Sequence, residues 1–393
     1  MHDVVVVGGG PAGCYAASLL AQRGLDVQVL EEHPVIGEPV DCSGVMGAES
    51  FDLLQLPDFL KLGEIRALNF VSPSRLEVHF SPPSPLAYVL DRAALDRAIA
   101  EKTLGAGVSF ELGARVTDIG CLDGCVELLY EQGENCAGKD KKSIRAGMVI
   151  LANGPRYRLQ RKVGMGVPAD FLRTAQTETR IQGLTETKVV LGSDVAPGSF
   201  AWIVPFRRDG DQWARIGVSA KTKAVPYLER LLIDLERAGH LDHAAASVRS
   251  WVIPIRPLKR TYSERVLAVG DAAGQNKPTT GGGIFYGLLC AAAAAETAIE
   301  AFDKKDFGLS VMRGYETRWR KRVGREIKTG ILFRRLGEKL TDGEIDELFR
   351  IVQSDGILAT VSKTARFDWH RDVISFVLRH PALGKVFLKS LFH

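Results

Sequence analysis

Three glycines near the start of the chain have the spacing of a phosphate-binding turn. The pattern Gly8-x-Gly10-x-x-Gly13 follows the apolar run Val4 to Val7. In such a pattern the first glycine permits a tight turn, the second lets the backbone approach a pyrophosphate, and the third allows close packing of helix on strand. Glu31 ends the next apolar run, where a carboxylate meets ribose hydroxyls. The pattern predicts a dinucleotide site.

The acidic residue and its neighbour narrow the choice of dinucleotide. Glu31 is followed by Glu32 and not by a basic residue, which disfavours a 2′-phosphate. FAD or NAD is therefore favoured over NADP. A second fingerprint is missing, because Gly105-Ala106-Gly107 lacks the third glycine and the following helix. Electrons would then come from transiently bound NAD(P)H or from a small redox protein such as a ferredoxin.

The elements that must position these residues alternate between two patterns. A strand-helix-strand unit extends to about Gly37, and long alternating segments typical of antiparallel strands follow later in the chain. We predict strands in 64–88, 108–110, 114–119, 146–152, 172–254 and 266–269, a polar hairpin tip around 133–142, and helices over 93–104, 226–240 and 284–302, with a helical tail after that. Leu95 and Ile99 are predicted to mark the inner face of the helix over 93–104.

Composition excludes several classes of protein. The 393 residues include 46% hydrophobic residues and carry a net charge of only +4, with no basic-aromatic motif, so nucleic acid is not an expected partner. The first strand begins almost at once, and the apolar run from Ile284 to Ala295 is short and ends at Glu296, so we expect a cytoplasmic protein. The six cysteines lack paired Cys-x-x-Cys spacing, so no metal is predicted.

Several separated motifs together resemble one group of flavoproteins. The chain resembles the FAD-dependent oxidoreductases of the para-hydroxybenzoate hydroxylase fold and, within them, the geranylgeranyl reductase family. The resemblance covers essentially the full length and rests on the stretches 39–44 (PVDCSG), 88–92 (YVLDR), 200–205 (FAWIVP), 270–273 (GDAA) and 278–284 (PTTGGGI).

The resemblance implies a fold and a set of cofactor residues. The fold class is α/β with α+β character: a Rossmann-type FAD-binding domain, an inserted antiparallel-sheet substrate domain and a helical C-terminal region. Residues 1–65, 92–165 and 262–302 would form the first domain, 66–91 and 166–261 the second, and 303–393 the third. The expected FAD-binding residues are Gly8, Gly10, Pro11, Ala12, Gly13, Glu31, Glu32, Cys42, Ser43, Arg92, Val116, Asn153, Gly154, Asp271, Gly281, Gly282, Gly283 and Ile284.

The resemblance also implies a reaction and its site. Reduced flavin would deliver hydride to an isolated double bond of a geranylgeranyl lipid, diphosphate, chlorophyll or quinone tail while a proton reaches the other carbon. Phe200, Trp202 and Pro205 would wall the prenyl cavity, and Cys42 would lie closest to the reacting centre. A plain core tryptophan and a small buried thiol without chemistry are the respective alternatives. An aromatic hydroxylase or halogenase, or a flavoprotein that passes electrons to a quinone, are the competing functions.

Two departures from the family pattern bear on the donor and the substrate. The chain has Asn153-Gly154 where relatives commonly carry Asp-Gly, and Lys277-Pro278 where they carry Asp-Pro. The second change puts a potential cation near the flavin or its entrance. The basic stretch from Arg313 to Lys328 could dock an acidic ferredoxin or anionic lipid, with a solvated helix face as the alternative. The apolar segments 373–378 and 386–388 could press on the inner face of a membrane, with packing inside the protein as the alternative.

Overall fold

The computed structural model describes residues 1–40, 42–133, 141–241, 247–354 and 356–390. These residues form two compact units: one comprises 1–40, 92–170 and 254–327, and the other comprises the intervening ranges and the C-terminal part from residue 328. Most of the predicted hairpin tip, together with Cys136 and Asp41, lies outside the described residues.

The strands are β1 His2–Val7, β2 Val27–Glu31, β3 Val45–Gly47, β4 Lys61–Ile65, β5 Leu68–Val71, β6 Glu77–Phe80, β7 Ala87–Leu90, β8 Ser109–Leu112, β9 Ala114–Leu122, β10 Cys125–Gln132, β11 Lys141–Leu151, β12 Phe171–Arg180, β13 Thr187–Val190, β14 Ala201–Arg208, β15 Asp211–Ala220, β16 Arg249–Pro254, β17 Tyr262–Ser263 and β18 Val266–Ala268. The helices are α1 Pro11–Ala21, α2 Ala48–Leu53, α3 Arg92–Gly105, α4 Arg158–Lys162, α5 Val225–Arg237, α6 Ile284–Lys304, α7 Leu309–Trp319, α8 Arg325–Gly337, α9 Asp342–Ser354, α10 Ile357–Thr364, α11 Arg371–Arg379 and α12 Pro381–Lys389.

The first unit is organised around β1. In its sheet the order is β17-β18-β11-β1-β2-β8, and β1 pairs in parallel with β11 on one side and with β2 on the other. Such a strand is covered on both faces, which explains why Val4, Val5 and Val6 are all fully buried. The antiparallel strands β9 and β10 join the sheet at β11. Leu95 and Ile99 of α3 are buried, as predicted.

Helix α6 is longer than the apolar run suggested. It extends over 21 residues to Lys304, and among the described residues it is the one helix whose length and composition would suffice to cross a membrane. Of its most apolar window, 67% is buried inside the protein. Its small side chains, such as Ala291 and Ala294, are fully buried, and α1 packs against it closely. The helix is thus a core element of the first unit.

The second unit contains the predicted antiparallel layer. Its larger sheet has the order β16-β12-β15-β14-β13-β5-β6, in which only the β5–β13 pair is parallel among the described strand pairs, and β3, β7 and β4 form a smaller sheet. One face of the larger sheet packs against α5, where Leu228 and Leu232 meet Ile203 and Ile216. The opposite face carries Trp202, Val204 and Phe206.

The predicted fold class is confirmed by this architecture: a parallel Rossmann-like sheet, a largely antiparallel layer and C-terminal helices from α7 onward. The two compact units differ in extent from the three predicted domains, since residues 41–65 and the C-terminal helices from residue 328 group with the antiparallel sheets. The three-domain division stays a prediction.

Candidate functional site

The turn between β1 and α1 requires glycine at two positions. Gly8 has a φ of 108°, and a Cβ there would lie 2.3 Å from the carbonyl oxygen of Ala152. A Cβ on Gly13 would lie 2.1 Å from the carbonyl oxygen of Gly8. Both distances are far below van der Waals contact, so the backbone leaves no room for a side chain at either position.

Gly10 has the opposite surroundings, because a Cβ on it would meet nothing within 4 Å. Gly10 caps α1, no side chain accepts a capping hydrogen bond there, and the first turn carries no acidic residue. Pro11, at the start of the helix, has no N–H to satisfy. The backbone N–H groups that follow and the positive end of the helix dipole suit the charge of a pyrophosphate. The open space at Gly10 fits such a group.

The Glu31 carboxylate is fixed beside the start of α1. Its Oε2 accepts a hydrogen bond from the Gly9 N–H over 2.6 Å, and its Oε1 accepts one from the His33 N–H over 2.9 Å. The His33 ring nitrogen Nδ1 also lies 2.6 Å from Oε1. Glu32 forms an ion pair with Arg156. Glu31 thus lies at the end of β2, where the sequence predicts a contact with ribose.

Asp271 lies in the turn after β18, in surroundings that disfavour its charge. Burial raises its pKa from the usual 3.8 to about 6, although a hydrogen bond with the Asn276 side chain acts in the opposite direction. A Cβ on Gly283 would lie 3.0 Å from Asp271 Oδ1 and 2.3 Å from Asn276 Oδ1. The Tyr157 hydroxyl donates to the Asp271 carbonyl over 2.8 Å. Asn276 and Tyr157 were not predicted, because neither belongs to a recognisable motif.

The first turns of α1 and α6 lie side by side. A Cβ on Gly287 would lie 3.6 Å from the Ala12 Cβ and 3.6 Å from the Gly270 Cα. Gly283 caps α6, again without a side-chain hydrogen bond and without an acidic residue in the first turn, which begins at Ile284. Both helix starts therefore favour an anionic group in the same part of the first unit.

Other predicted cofactor residues of the first unit have protein partners. The Arg92 guanidinium donates to the Asp96 carboxylate over 2.5 and 3.0 Å. Asn153 donates to the Arg156 carbonyl over 2.6 Å and accepts from Gln160 over 3.0 Å. These contacts hold Arg92 and Asn153 in place, and their predicted roles toward the cofactor stay predictions. Gly154 has a φ of 63°, and Val116 pairs with Tyr130 across β9 and β10.

Lys277 is buried in the loop before α6, with only 4% of its surface exposed. Its N–H donates to the Gly282 carbonyl over 3.0 Å, and its own carbonyl accepts from the Gly281 N–H over 2.8 Å. A Cβ on Gly282 would lie 2.6 Å from the Lys277 Cε. The glycines of this loop therefore let the lysine stem fold over the backbone, which the sequence alone did not indicate.

Cys42 and Ser43 belong to the second unit. The Cys42 carbonyl accepts a hydrogen bond from Gln176 Nε2 over 3.1 Å, and its Sγ accepts one from the Gly44 N–H over 3.3 Å. The Ser43 carbonyl accepts from Arg215 Nη1 over 2.9 Å. The segment from Cys42 to Gly44 is therefore attached to the larger sheet through its backbone.

Trp202 is buried on one face of β14, and its ring lies 5.9 Å from that of Phe200. The indole N–H donates to Gln176 Oε1 over 3.1 Å. The indole covers Gly217, where a Cβ would lie only 2.2 Å from Trp202 Cζ2. Phe200 and Trp202 thus form a common apolar surface, and their role in lining a prenyl cavity stays a prediction.

Pro205 does not share that surface. Residues in a strand alternate between its two faces, so Pro205, three positions after Trp202, lies on the opposite face. Its partner on β15 is Ala214, which belongs to the core against α5. The prediction that all three residues wall one cavity therefore needs correction for Pro205. In the part of the chain that the structure describes, no group of three or more His, Cys, Asp and Glu could hold a metal ion.

Comparison with known proteins agrees with these features. Residues 2–193 match the family model described as pyridine nucleotide-disulphide oxidoreductase. The chain is 32% identical, over 92% of its own length and 94% of the relative, to digeranylgeranylglycerophospholipid reductase 2 of Methanothermobacter thermautotrophicus.

Two solved structures share the fold. A geranylgeranyl bacteriochlorophyll reductase-like protein of Thermoplasma acidophilum superposes with a TM-score of 0.84 at 22% identity, covering 99% of each chain. The p-nitrophenol 4-monooxygenase PnpA of Pseudomonas putida gives 0.65 at 19% identity, covering 99% of this chain and 97% of the other. The predicted family resemblance is confirmed, and on its sequence identity and coverage the chain belongs to the digeranylgeranylglycerophospholipid reductase family.

Proposed function

We propose that this chain is a flavin-dependent reductase that saturates isolated carbon–carbon double bonds in the geranylgeranyl chains of a glycerophospholipid. Its family membership supports the reaction and the class of substrate. The structural observation that carries the proposal is the open space at Gly10, at a helix start that has no side-chain capping hydrogen bond, since this space suits a dinucleotide pyrophosphate.

The cofactor proposed is FAD, held by the first unit. The backbone at Gly10 and Ala12 would bind its pyrophosphate at the start of α1, and Glu31 would bind a ribose of the adenosine half. The first turn of α6 would favour negative charge on the reduced ring. When bound, FAD supplies the hydride for an alkene that no carbonyl activates. The chain must then hold the alkene still and keep water away from it.

The substrate residues proposed lie in the second unit. Phe200 and Trp202 offer an apolar surface suited to a prenyl chain. Cys42 is proposed to act beside the reacting carbon atoms, where its thiol could position the alkene or pass a proton. Because Cys42 is held through its backbone carbonyl and its Sγ, its side chain has a defined place beside the larger sheet.

The electron donor proposed is NAD(P)H or a small redox protein. The basic stretch from Arg313 to Lys328 carries less uncompensated charge than its sequence indicates, since three arginines have acidic partners: Arg318 pairs with Glu300, Arg320 with Glu316 and Arg322 with Glu296. This pairing weakens the case for docking an acidic ferredoxin there. We further propose a cytoplasmic protein that touches the inner face of the membrane, because a geranylgeranyl lipid resides in the bilayer.

An anaerobic single-turnover assay tests the reaction. The flavoprotein is reduced with dithionite and mixed with a geranylgeranyl glycerophospholipid in detergent, and the extracted lipid is analysed by mass spectrometry. We expect gains of about two mass units per saturated bond together with reoxidation of the flavin. A flavin that stays reduced, with unchanged lipid, would contradict the proposal.

A second arm separates the competing functions. Oxygen incorporation from labelled O₂ into an aromatic substrate would instead indicate a monooxygenase. Flavin reoxidation by a quinone, without any change in the lipid, would indicate electron transfer. The Gly10→Val variant, which we expect to lack flavin, serves as the matched protein control.

A further inference from the structure

We infer that Gln176 is a positioning residue that joins Trp202 to the Cys42–Gly44 segment, and that Arg215 fixes the same segment next to it. The relevance to catalysis rests on the proposed function, because that function places Trp202 and Cys42 at the substrate. The connection itself is made entirely of contacts within the second unit.

The register of three strands creates the connection. Gln176 of β12 is paired with Gly217 of β15, and Gly217 is paired with Trp202 of β14. Since Gly217 has no side chain, the indole extends across β15 and its N–H reaches Gln176 on the third strand. Any larger residue at position 217 would interrupt this path.

The chemistry of the groups fixes the orientation of the Gln176 amide. An indole N–H can only donate a hydrogen bond, and a backbone carbonyl can only accept one. The amide oxygen of Gln176 must therefore face Trp202 at 3.1 Å, while its nitrogen faces the Cys42 carbonyl at 3.1 Å. Because Gln176 is buried, breaking either bond would leave a polar group without water to replace its partner.

Arg215 holds the next carbonyl along the segment. It is only 3% exposed, its Nε donates to Glu178 Oε2 over 2.8 Å, and its Nη1 donates to the carbonyls of Ser43 and Leu90 over 2.9 and 3.0 Å. A Cβ on Gly44 would lie 2.0 Å from Nη1, so glycine is needed there for the guanidinium to reach. Charge-assisted bonds of this kind are stronger than neutral ones.

The adjacent carbonyls of Cys42 and Ser43 are thus held by two side chains on the same face of the sheet, those of Gln176 and Arg215. Glu178, the partner of Arg215 in the register, follows Gln176 by two positions on β12. The Cys42 thiol is fixed in addition by the Gly44 N–H. A shift of the Trp202 indole would disturb the amide of Gln176 and, through it, the backbone that carries the thiol.

The test measures Cys42 directly and needs no substrate. Purified flavoprotein is treated with iodoacetamide, and the alkylation rate of Cys42 is read by peptide mass spectrometry, with the exposed Cys121 as internal reference. Methionine offers no donor and at most a weak acceptor, so in Gln176→Met we expect the alkylation rate of Cys42 to rise about fivefold. That factor corresponds to the net free energy of one hydrogen bond. Trp202→Phe loses the indole N–H and part of the ring volume but leaves the bond from Gln176 to the Cys42 carbonyl in place, so it should produce a smaller rise.

A double-mutant cycle distinguishes a joined path from two separate effects. If Gln176 transmits the influence of Trp202, the Trp202→Phe change should have no further effect on Cys42 in the Gln176→Met background. Additive effects, or an unchanged alkylation rate in a Gln176→Met protein with normal melting temperature and flavin absorbance, would overturn the inference. Should Gln176→Met fail to fold, an unchanged rate in Trp202→Phe would overturn it equally.

Control and activity arms complete the experiment. Gln212→Met removes another glutamine of the same sheet, which donates to the Leu184 carbonyl, and should leave Cys42 unchanged. With the prenyl lipid, Gln176→Met fills a similar space but removes the donor to the Cys42 carbonyl, so we expect a near-normal KM and a lowered kcat. Absence of any lipid reduction in the wild type would refute the proposed function, whereas the alkylation result would stand.

Discussion

Gly10 and Gly217 are the same residue type put to opposite uses. At Gly10 the space that a side chain would occupy is open, whereas at Gly217 it is filled by the indole of Trp202. The first glycine leaves open the space proposed for the pyrophosphate, and the second leaves room for a side chain of the protein itself. A glycine at the start of a helix is therefore a candidate ligand site only when nothing in the protein occupies the space that a side chain would fill there.

The strongest test of this comparison is Gly10→Val. The φ of −73° and ψ of 176° at Gly10 suit a β-branched residue, so we expect the apoprotein to keep its unfolding free energy within about 1 kcal/mol. The side chain would instead occupy the space proposed for the pyrophosphate, and flavin affinity should fall by at least about a thousandfold, or about 4 kcal/mol. Urea unfolding of apoprotein and flavin titration measure the two quantities.

Gly13→Ala is the matched control for that variant. Its Cβ would lie 2.1 Å from a backbone oxygen, so it should lose stability as well as flavin. Normal flavin binding by Gly10→Val would contradict the proposal that the open space at Gly10 holds the pyrophosphate.

Gly217→Val tests the filled space at the second glycine and should have the next largest effect. The new side chain would overlap the Trp202 indole, and overpacking of this kind costs about 1–3 kcal/mol of unfolding free energy. We expect the upper end of that range in urea unfolding, with a change in tryptophan fluorescence as the indole is displaced. Gly120→Val on β9, where a Cβ would meet nothing within 4 Å, should be neutral or mildly stabilising. A neutral Gly217→Val would mean that the indole can move aside without cost.

The contrast also shows what the sequence could reveal. The turn glycines and Glu31 were predictable because their partners lie in one strand-helix-strand unit, within a few tens of residues along the chain. Gln176 and Arg215 were not predictable, because their partners Cys42 and Ser43 are 134 and 172 residues away and depend on the register of the sheet. No local motif encodes that register.

The substrate wall shows a further limit. The motif that contains Trp202 and Pro205 was interpreted as one lining surface, although a strand places residues three positions apart on opposite faces. Alternation along the strand, and not membership of one motif, decides which side chains share a surface. For Lys277 the sequence predicts a potential cation near the flavin or its entrance, but burial of the lysine over Gly282 depends on two backbone hydrogen bonds within its loop.

Asp271, in the first unit, should have a smaller effect than Gly10→Val or Gly217→Val. Its folded-state pKa of about 6 lies above the usual 3.8, so between these values the folded chain binds more protons than the unfolded one. Stability should therefore fall as the pH rises through that window and reach its lower level above about pH 6. Asp271→Asn removes this dependence, and near neutral pH we expect a gain of at most about 2 kcal/mol, because Asp271 is only half-buried and solvent screens part of the effect.

The measurement is urea unfolding of apoprotein at a series of pH values from about 4 to 8. Asp118 supplies a control of opposite sign, since a hydrogen bond from Lys162 lowers its pKa and its contribution should be lost as the pH falls. An Asp271→Asn protein with an unchanged pH dependence would show that Asp271 is well solvated in the apoprotein. A flattened dependence, together with weaker flavin binding, would show that the first unit gives up stability at Asp271 in order to bind its ligand, whereas the second unit at Gly217 gains stability by filling its own space.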